Sequence, residues 1–154
     1  LLNSAYRGDS SKQGWTTEAH LIAGNVRTNE QSVIDVINQP GSVVLKCTDE
    51  QNHIIGTVNL QKQDHKLYLG MFSVSPASQG GGIGKKLLVA AEDHAREVDC
   101  SMIYMTVISV RTELIDWYKR NGYVDTGERK PFTEDGLTGK HLQKLEFAVL
   151  EKMI

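Results

Sequence analysis

The sequence predicts an α/β fold of the α+β type, with a mixed, mostly antiparallel central sheet flanked by helices. Three observations carry that expectation. Between Val43 and Val74 lie three β-branched or apolar runs separated only by polar turns. From Gly82 to Val98 the apolar spacing becomes that of an amphipathic helix. A strand, a second helix and two closing strands then follow.

Each element has its own signal. Leu1 to Tyr6 reads as the tail of a helix, and Arg7 to Gly14 as polar turn. The chain opens on Leu1-Leu2 without a Met, so a native first strand is expected to be missing ahead of it. Thr16-Thr17-Glu18 offers hydroxyl caps for a short helix ending at Gly24. Gln31 to Asn38 predicts a second helix, with Val33, Ile34 and Ile37 on one side and Pro40-Gly41 as its stop. Val43 to Cys47, Ile54 to Leu60 and Lys66 to Val74 are the three strands, with turns at Asp49–Asn52 and Lys62–His65. In the long helix, Ile83, Leu87, Leu88, Ala91, Ala95 and Val98 form one stripe. Met102 to Ile108 is a buried strand, and the strand–helix–strand unit makes it parallel to the third strand. Thr112 to Asn121 is a helix with Thr112 as cap and Gly122 as terminator. Val124–Glu128 and Leu145–Leu150 close the sheet. The chain has no internal repeat and no linker-like tract, so residues 1–154 are expected to form one domain.

Composition narrows the function. Net charge is −2, from 17 basic and 19 acidic residues, which gives no electrostatic footprint for nucleic acid or an anionic surface. No apolar run approaches the ~20 residues a membrane helix needs. Cys47 and Cys100 lack metal-type spacing and read as free thiols in a reducing cytoplasm. His53, His65 and His94 read as surface residues, and no histidine pairing points to a metal.

The chemistry concentrates in Ser75 to Lys86, between a strand and an amphipathic helix. Four of the six residues from Gln79 to Gly84 are glycine. Glycine permits positive φ and close approach of a ligand to the backbone. The first N–H groups of a helix lack intrahelical partners and carry partial positive charge, so this turn suits a pyrophosphate. Two nucleotide signatures fail. Gly84-Lys85 is followed by Lys86 where a phosphate-binding loop needs Ser or Thr. No frame of the turn completes Gly-x-Gly-x-x-Gly.

The pattern that is met is Gln-x-x-Gly-x-Gly, at Gln79, Gly82 and Gly84. Here the sequence resembles the GNAT superfamily of N-acetyltransferases, from about Val43 to the end. The resemblance implies acetyl-CoA as donor, with Gln79, Gly80, Gly81, Gly82, Ile83, Gly84 and Lys85 around its pyrophosphate. It implies a strand splayed from its neighbour, so that backbone groups at Phe72, Ser73 and Val74 can pair with pantetheine. A backbone N–H near Phe72 would stabilise the oxyanion. A second motif, Leu114 to Tyr123, is similar to the family's helix ending in an aromatic residue. By that likeness Tyr118 protonates the departing CoA thiolate; on pattern alone it would be a core residue beside Leu114. Many relatives carry an Asn a few residues before this helix, where this chain has Arg111. Some use a Glu base on the third strand, where this chain has Tyr68. Both positions are candidate substrate contacts, and the base is unassigned.

Trp15 and Glu18 are candidates for acceptor recognition, Glu18 as partner of a cationic amine and Trp15 as a cation–π flank. Equally, Trp15 reads as a core plug and Glu18 as a helix-start charge. The link Arg129 to Gln143, with Phe132 and His141, is long enough to cover the acceptor side. The expected function is direct transfer of an acetyl group from acetyl-CoA to a primary amine, small-molecule or peptide, without metal, with a homodimer as the assembly common among relatives. The rival readings are a catalytically weak acyl-CoA-binding sensor and an ATP-binding module.

Overall fold

A computed structural model describes residues 1–24, 26–134 and 139–154. Two short helices, α1 (Leu2–Tyr6) and α2 (Gly8–Ser11), lead to a two-residue strand β1 (Ile22–Ala23) and a helix α3 (Glu30–Asn38). The antiparallel strands β2 (Ser42–Thr48), β3 (Ile54–Gln63) and β4 (Lys66–Val74) follow, then a 3-10 turn at Pro76–Ser78 and helix α4 (Ile83–Glu97). β5 (Met102–Ile108), α5 (Thr112–Arg120), β6 (Val124–Phe132), β7 (Lys140–His141) and β8 (Leu145–Met153) complete the chain.

The main sheet has six strands in the order β2-β3-β4-β5-β8-β6. Every neighbouring pair is antiparallel except β4–β5, which α4 connects as a crossover. This is the mixed, mostly antiparallel sheet that the alternation of strand and helix signals predicts. The long helix, the parallel pair and the order of the principal strands all follow the expectation. β3, β6 and β8 run several residues further, because pairing with a neighbour extends a strand past the end of its apolar run.

The core forms where the stripe of α4 meets the sheet. Leu60, Leu67, Ala91, Ala95, Ile103, Ala148 and Leu150 are all fully buried. Each buried Leu or Ile contributes about 1.5–3 kcal/mol. Alanine at 91 and 95 lets the helix lie close to the strands. Helix α3 is capped by Asn29, whose side chain accepts from Ser32 N–H at 2.8 Å, and it packs beside the outer strand β2.

Three local expectations are corrected. Residues 16–24 form turns and β1, not a helix. The Thr16 hydroxyl accepts from Arg111 at 2.7 Å and donates to Glu113 at 3.1 Å, so it is not free to cap. Ile22 and Ala23 pair with His141 and Lys140 instead, and Leu21 and Ile22 join Ile108 and Leu145 in a second apolar cluster. Thr112 is the first residue of α5, whose N-cap position is held by Arg111 without a side-chain cap. Gly8–Ser11, expected as turn, forms one helical turn. Positions 135–138 of the long link lie outside the described residues.

Candidate active site

The site begins where two parallel strands part. β4 and β5 are paired only from Lys66–Tyr68 to Met102–Tyr104. Beyond Tyr68 the two strands share no ladder, so their C-terminal ends diverge and leave a wedge. On its other side β4 carries a bulge. Thr57 pairs with Ser73 and Asn59 with Gly70, so Met71 and Phe72 together face Val58. Met71 has φ +49°. A side chain in the left-handed region costs roughly 1–2 kcal/mol, and the bulge holds it there. The Thr57 hydroxyl bonds the Met71 carbonyl at 3.3 Å and the Ser73 hydroxyl at 3.0 Å. A bulge of this kind re-aims backbone groups next to a site.

One cleft, of about 430 Å³, opens between the bulged strand and the start of α4. Phe72, Ser73 and Val74 form its strand wall, and Gln79, Gly80, Gly82, Ile83, Gly84 and Lys85 its far wall. Gly81 lies in the turn but does not line the cleft. Gly80 and Gly82 have φ +87° and +82°, and Gly82 is the N-cap of α4 with no side chain capping the helix. The first N–H groups of α4 therefore lack a side-chain acceptor, as an anion site requires. Gly84 is glycine for another reason: a Cβ there would stand 3.2 Å from Trp117. Gln79 differs from expectation, because both ends of its amide are used within the protein. Its Oε1 accepts from Trp15 N–H at 2.5 Å and its Nε2 donates to the Val74 carbonyl at 2.9 Å. It braces the turn against the strand.

A second cavity, of about 230 Å³, lies on the other face of the wedge. Its charged floor is a buried triad. Glu18 accepts from Arg7 Nε at 3.0 Å through one oxygen and from Arg111 Nη1 at 3.0 Å through the other. Arg7, Glu18 and Arg111 are 2%, 6% and 3% exposed. The Nε of Arg111 is buried without a hydrogen-bond partner among the described residues. Arg27 sits over the ring of Tyr6, 5.1 Å from its centre. Tyr68 lines this cavity beside Tyr104, with ring centres 5.3 Å apart. Phe132, from the long link, lines it too.

Two candidates change role here. Glu18 is not available to hold a cationic amine, because two guanidinium groups already occupy both of its oxygens. Trp15 is not a core plug, and it does not line the cavity that holds Glu18. It is 52% exposed, lines the larger cleft and leans on Trp117 with ring centres 6.5 Å apart. Its backbone bond to Gln79 draws it to that side.

Cleft and cavity share one wall, made of Tyr6, Phe72, Arg111, Leu114 and Tyr118. Tyr118 is 4% exposed and packs edge-on to Phe72, Trp117 and Tyr123. Its hydroxyl has no hydrogen-bond partner among the described residues. Burial, reinforced by the neighbouring Tyr6, holds its pKa well above the usual tyrosine value. The Tyr6 hydroxyl donates to the Phe72 carbonyl and is also pushed up by burial, against the pull of Arg27. Tyr6, Arg7 and Arg27 were missed in the sequence. The signal that could have marked them was two arginines and a tyrosine in the segment that also holds Glu18.

Residues 10–123 match the Acetyltransferase (GNAT) family, which spans most of the chain. The chain therefore belongs to that family. Over 65 residues it is 32% identical to an IAA acetyltransferase of Azospirillum brasilense, a stretch covering 42% of this chain and 42% of that protein. The fold is similar to the ribosomal-protein-S18-alanine N-acetyltransferase of Escherichia coli, with TM-score 0.68 and 14% identity over 82% of this chain and 77% of that one. It is also similar to a GNAT family acetyltransferase from Elizabethkingia anophelis with acetyl-CoA bound, with TM-score 0.64 and 16% identity over 82% and 84%. At these identities the structural likenesses establish the fold alone. Among the described residues no cluster of three or more metal-binding side chains occurs, and no helix is long and apolar enough to cross a membrane.

Proposed function

We propose that this chain is a single-domain N-acetyltransferase that moves an acetyl group from acetyl-CoA to a primary amine by direct transfer, in a cytoplasmic setting. The observation that carries the reading is the shared wall. A cleft that ends at an uncapped helix N-terminus and a separate small cavity meet at the Tyr118 side chain. The acetyl-CoA in a structural neighbour supports the donor.

Acetyl-CoA supplies an activated thioester. The start of α4 would take its pyrophosphate, and β4, unpaired past Tyr68, would take its amides. The bulge at Met71–Phe72 would aim a backbone N–H at the thioester carbonyl oxygen. The acceptor nitrogen bonds to the carbonyl carbon while the carbon–sulfur bond breaks. Tyr118 gives its proton to the sulfur, and the proton shed by the nitrogen restores the phenol through water.

Two expected results follow. Gly82→Ala places a side chain at φ +82° and strains or reshapes the turn by about 1–2 kcal/mol. Acetyl-CoA affinity by calorimetry is expected to fall roughly tenfold, since ~1.4 kcal/mol is a factor of ten. The melting temperature should fall by no more than several degrees, as about 1–2 kcal/mol implies for a chain of this size. An unchanged affinity would remove the turn from the donor site.

The second concerns pH. The carboxylate on this cavity, Glu18, is already paired, and no histidine among the described residues lines it. The amine must then lose its proton to water before it attacks. The kcat/KM profile should rise with pH through the acceptor's own ammonium pKa and shift when an amine of different pKa is used. Because Tyr118 is held well above its usual value, it stays protonated and no alkaline fall is expected below about pH 10. An inflection fixed across amines would reveal an enzyme base instead. A chain that binds acetyl-CoA and acetylates none of a broad amine panel would be the sensor domain. Size-exclusion chromatography with light scattering decides between monomer and homodimer.

A further inference from the structure

We infer that the acceptor amine also carries a carboxylate, and that the 230 Å³ cavity selects a compact amino-acid-like molecule with an aromatic or apolar side chain. This rests on the acetyltransferase reading above. The charge of the cavity is the first argument. Among the described residues its charged lining is Arg7, Arg27, Arg111 and Glu18. Both oxygens of Glu18 are taken, at 3.0 Å from Arg7 and from Arg111. Arg27 pairs with no carboxylate among the described residues and stands over the Tyr6 ring. A polycationic amine would enter against the charge of Arg27, whereas a molecule bearing one carboxylate would offset it.

The second argument is an orphaned donor. Arg111 is 3% exposed, lines the cavity and has a buried Nε without a hydrogen-bond partner among the described residues. A buried donor left unpaired is costly, and a guanidinium edge is shaped to receive a carboxylate. The third is shape. Beyond its arginines the cavity is walled by Tyr6, Tyr68, Phe132 and Phe147, the two phenylalanines stacked with ring centres 4.3 Å apart. A cavity of about 150 Å³ accepts benzene, so this one accepts a ring and a short tail. With the carboxylate on the arginines, the amine is left to reach the shared wall at Tyr118.

The test uses matched amines on the full chain: phenylalanine against phenethylamine, tyrosine against tyramine, and spermidine as the polycation. CoA release and product mass give kcat/KM. The carboxylate member of each pair should be better by at least about tenfold, the worth of one charge-assisted bond. Arg27→Gln should shrink that preference to under about threefold while the Kd of acetyl-CoA, measured separately, stays the same. Equal or better turnover of the decarboxylated amines or spermidine overturns the inference and leaves the acetyltransferase reading intact. If acetyl-CoA does not bind, the acetyltransferase reading fails instead. Calorimetry of phenylalanine against phenethylamine on the protein then still decides: binding of phenylalanine weakened by Arg27→Gln supports the carboxylate site, and no binding overturns it.

Discussion

Tyr118→Phe is expected to lower kcat by about 100-fold or more, within the usual range for removing a general acid, with the Kd of acetyl-CoA changed less than about twofold. The substitution deletes one oxygen and keeps the ring. The edge contacts with Phe72, Trp117 and Tyr123 survive, so the wall between cleft and cavity should hold its shape. What is lost is a hydroxyl on that wall that has no hydrogen-bond partner among the described residues. Burial explains why it is a donor: a raised pKa keeps the proton on the phenol until a thiolate forms beside it. The measurement is a single-turnover rate with CoA release, paired with calorimetry. A poor leaving thiol should be hit hardest, and a more acidic thioester analogue should recover part of the rate. Unchanged turnover would assign Tyr118 to packing alone.

The second large effect concerns stability. Glu18→Ala should cost roughly 3–5 kcal/mol, because it leaves the guanidiniums of Arg7 and Arg111 buried without their shared carboxylate. For a chain of this size that corresponds to a melting temperature lower by about 10 °C. Removing Asp93, which meets Arg96 at 3.3 Å on the exposed face of α4, should cost under about 1 kcal/mol. The contrast isolates burial, since both changes delete one carboxylate from one ion-pair network. A Glu18→Ala loss as small as that of Asp93→Ala would mean that solvent reaches the triad freely.

These residues also show what a sequence can carry. The larger cleft was legible because its determinants are local. Gly80 and Gly82 take backbone angles that favour glycine, and the stripe from Ile83 to Val98 has one period. The parallel pair followed from a strand–helix–strand order. The smaller cavity was not legible, because its determinants are distant. Arg111 finds Glu18 across 93 positions, and Tyr6 reaches Phe72 across 66. The bulge at Met71 has no residue signature, since the surrounding sheet and not a glycine holds the positive φ. The helix expected at 16–24 failed for a related reason. Of the local capping residues Thr16 is bound by Arg111 and Glu113, and Ile22 and Ala23 pair with β7 instead of continuing a helix.

The shared wall has a consequence for how such a protein can diversify. Beyond that wall, the larger cleft draws on the end of β4, the start of α4 and Trp15, while the cavity draws on Arg7, Glu18 and Arg27, the middle of β4, β5, Phe132 and Phe147. Substitutions at Arg27, Phe132 or Phe147 can therefore reshape the cavity without touching the cleft. A change at Phe72, Arg111 or Tyr118 alters both at once. On the proposed function, directed libraries aimed at new acceptors should vary the first group and hold the second fixed.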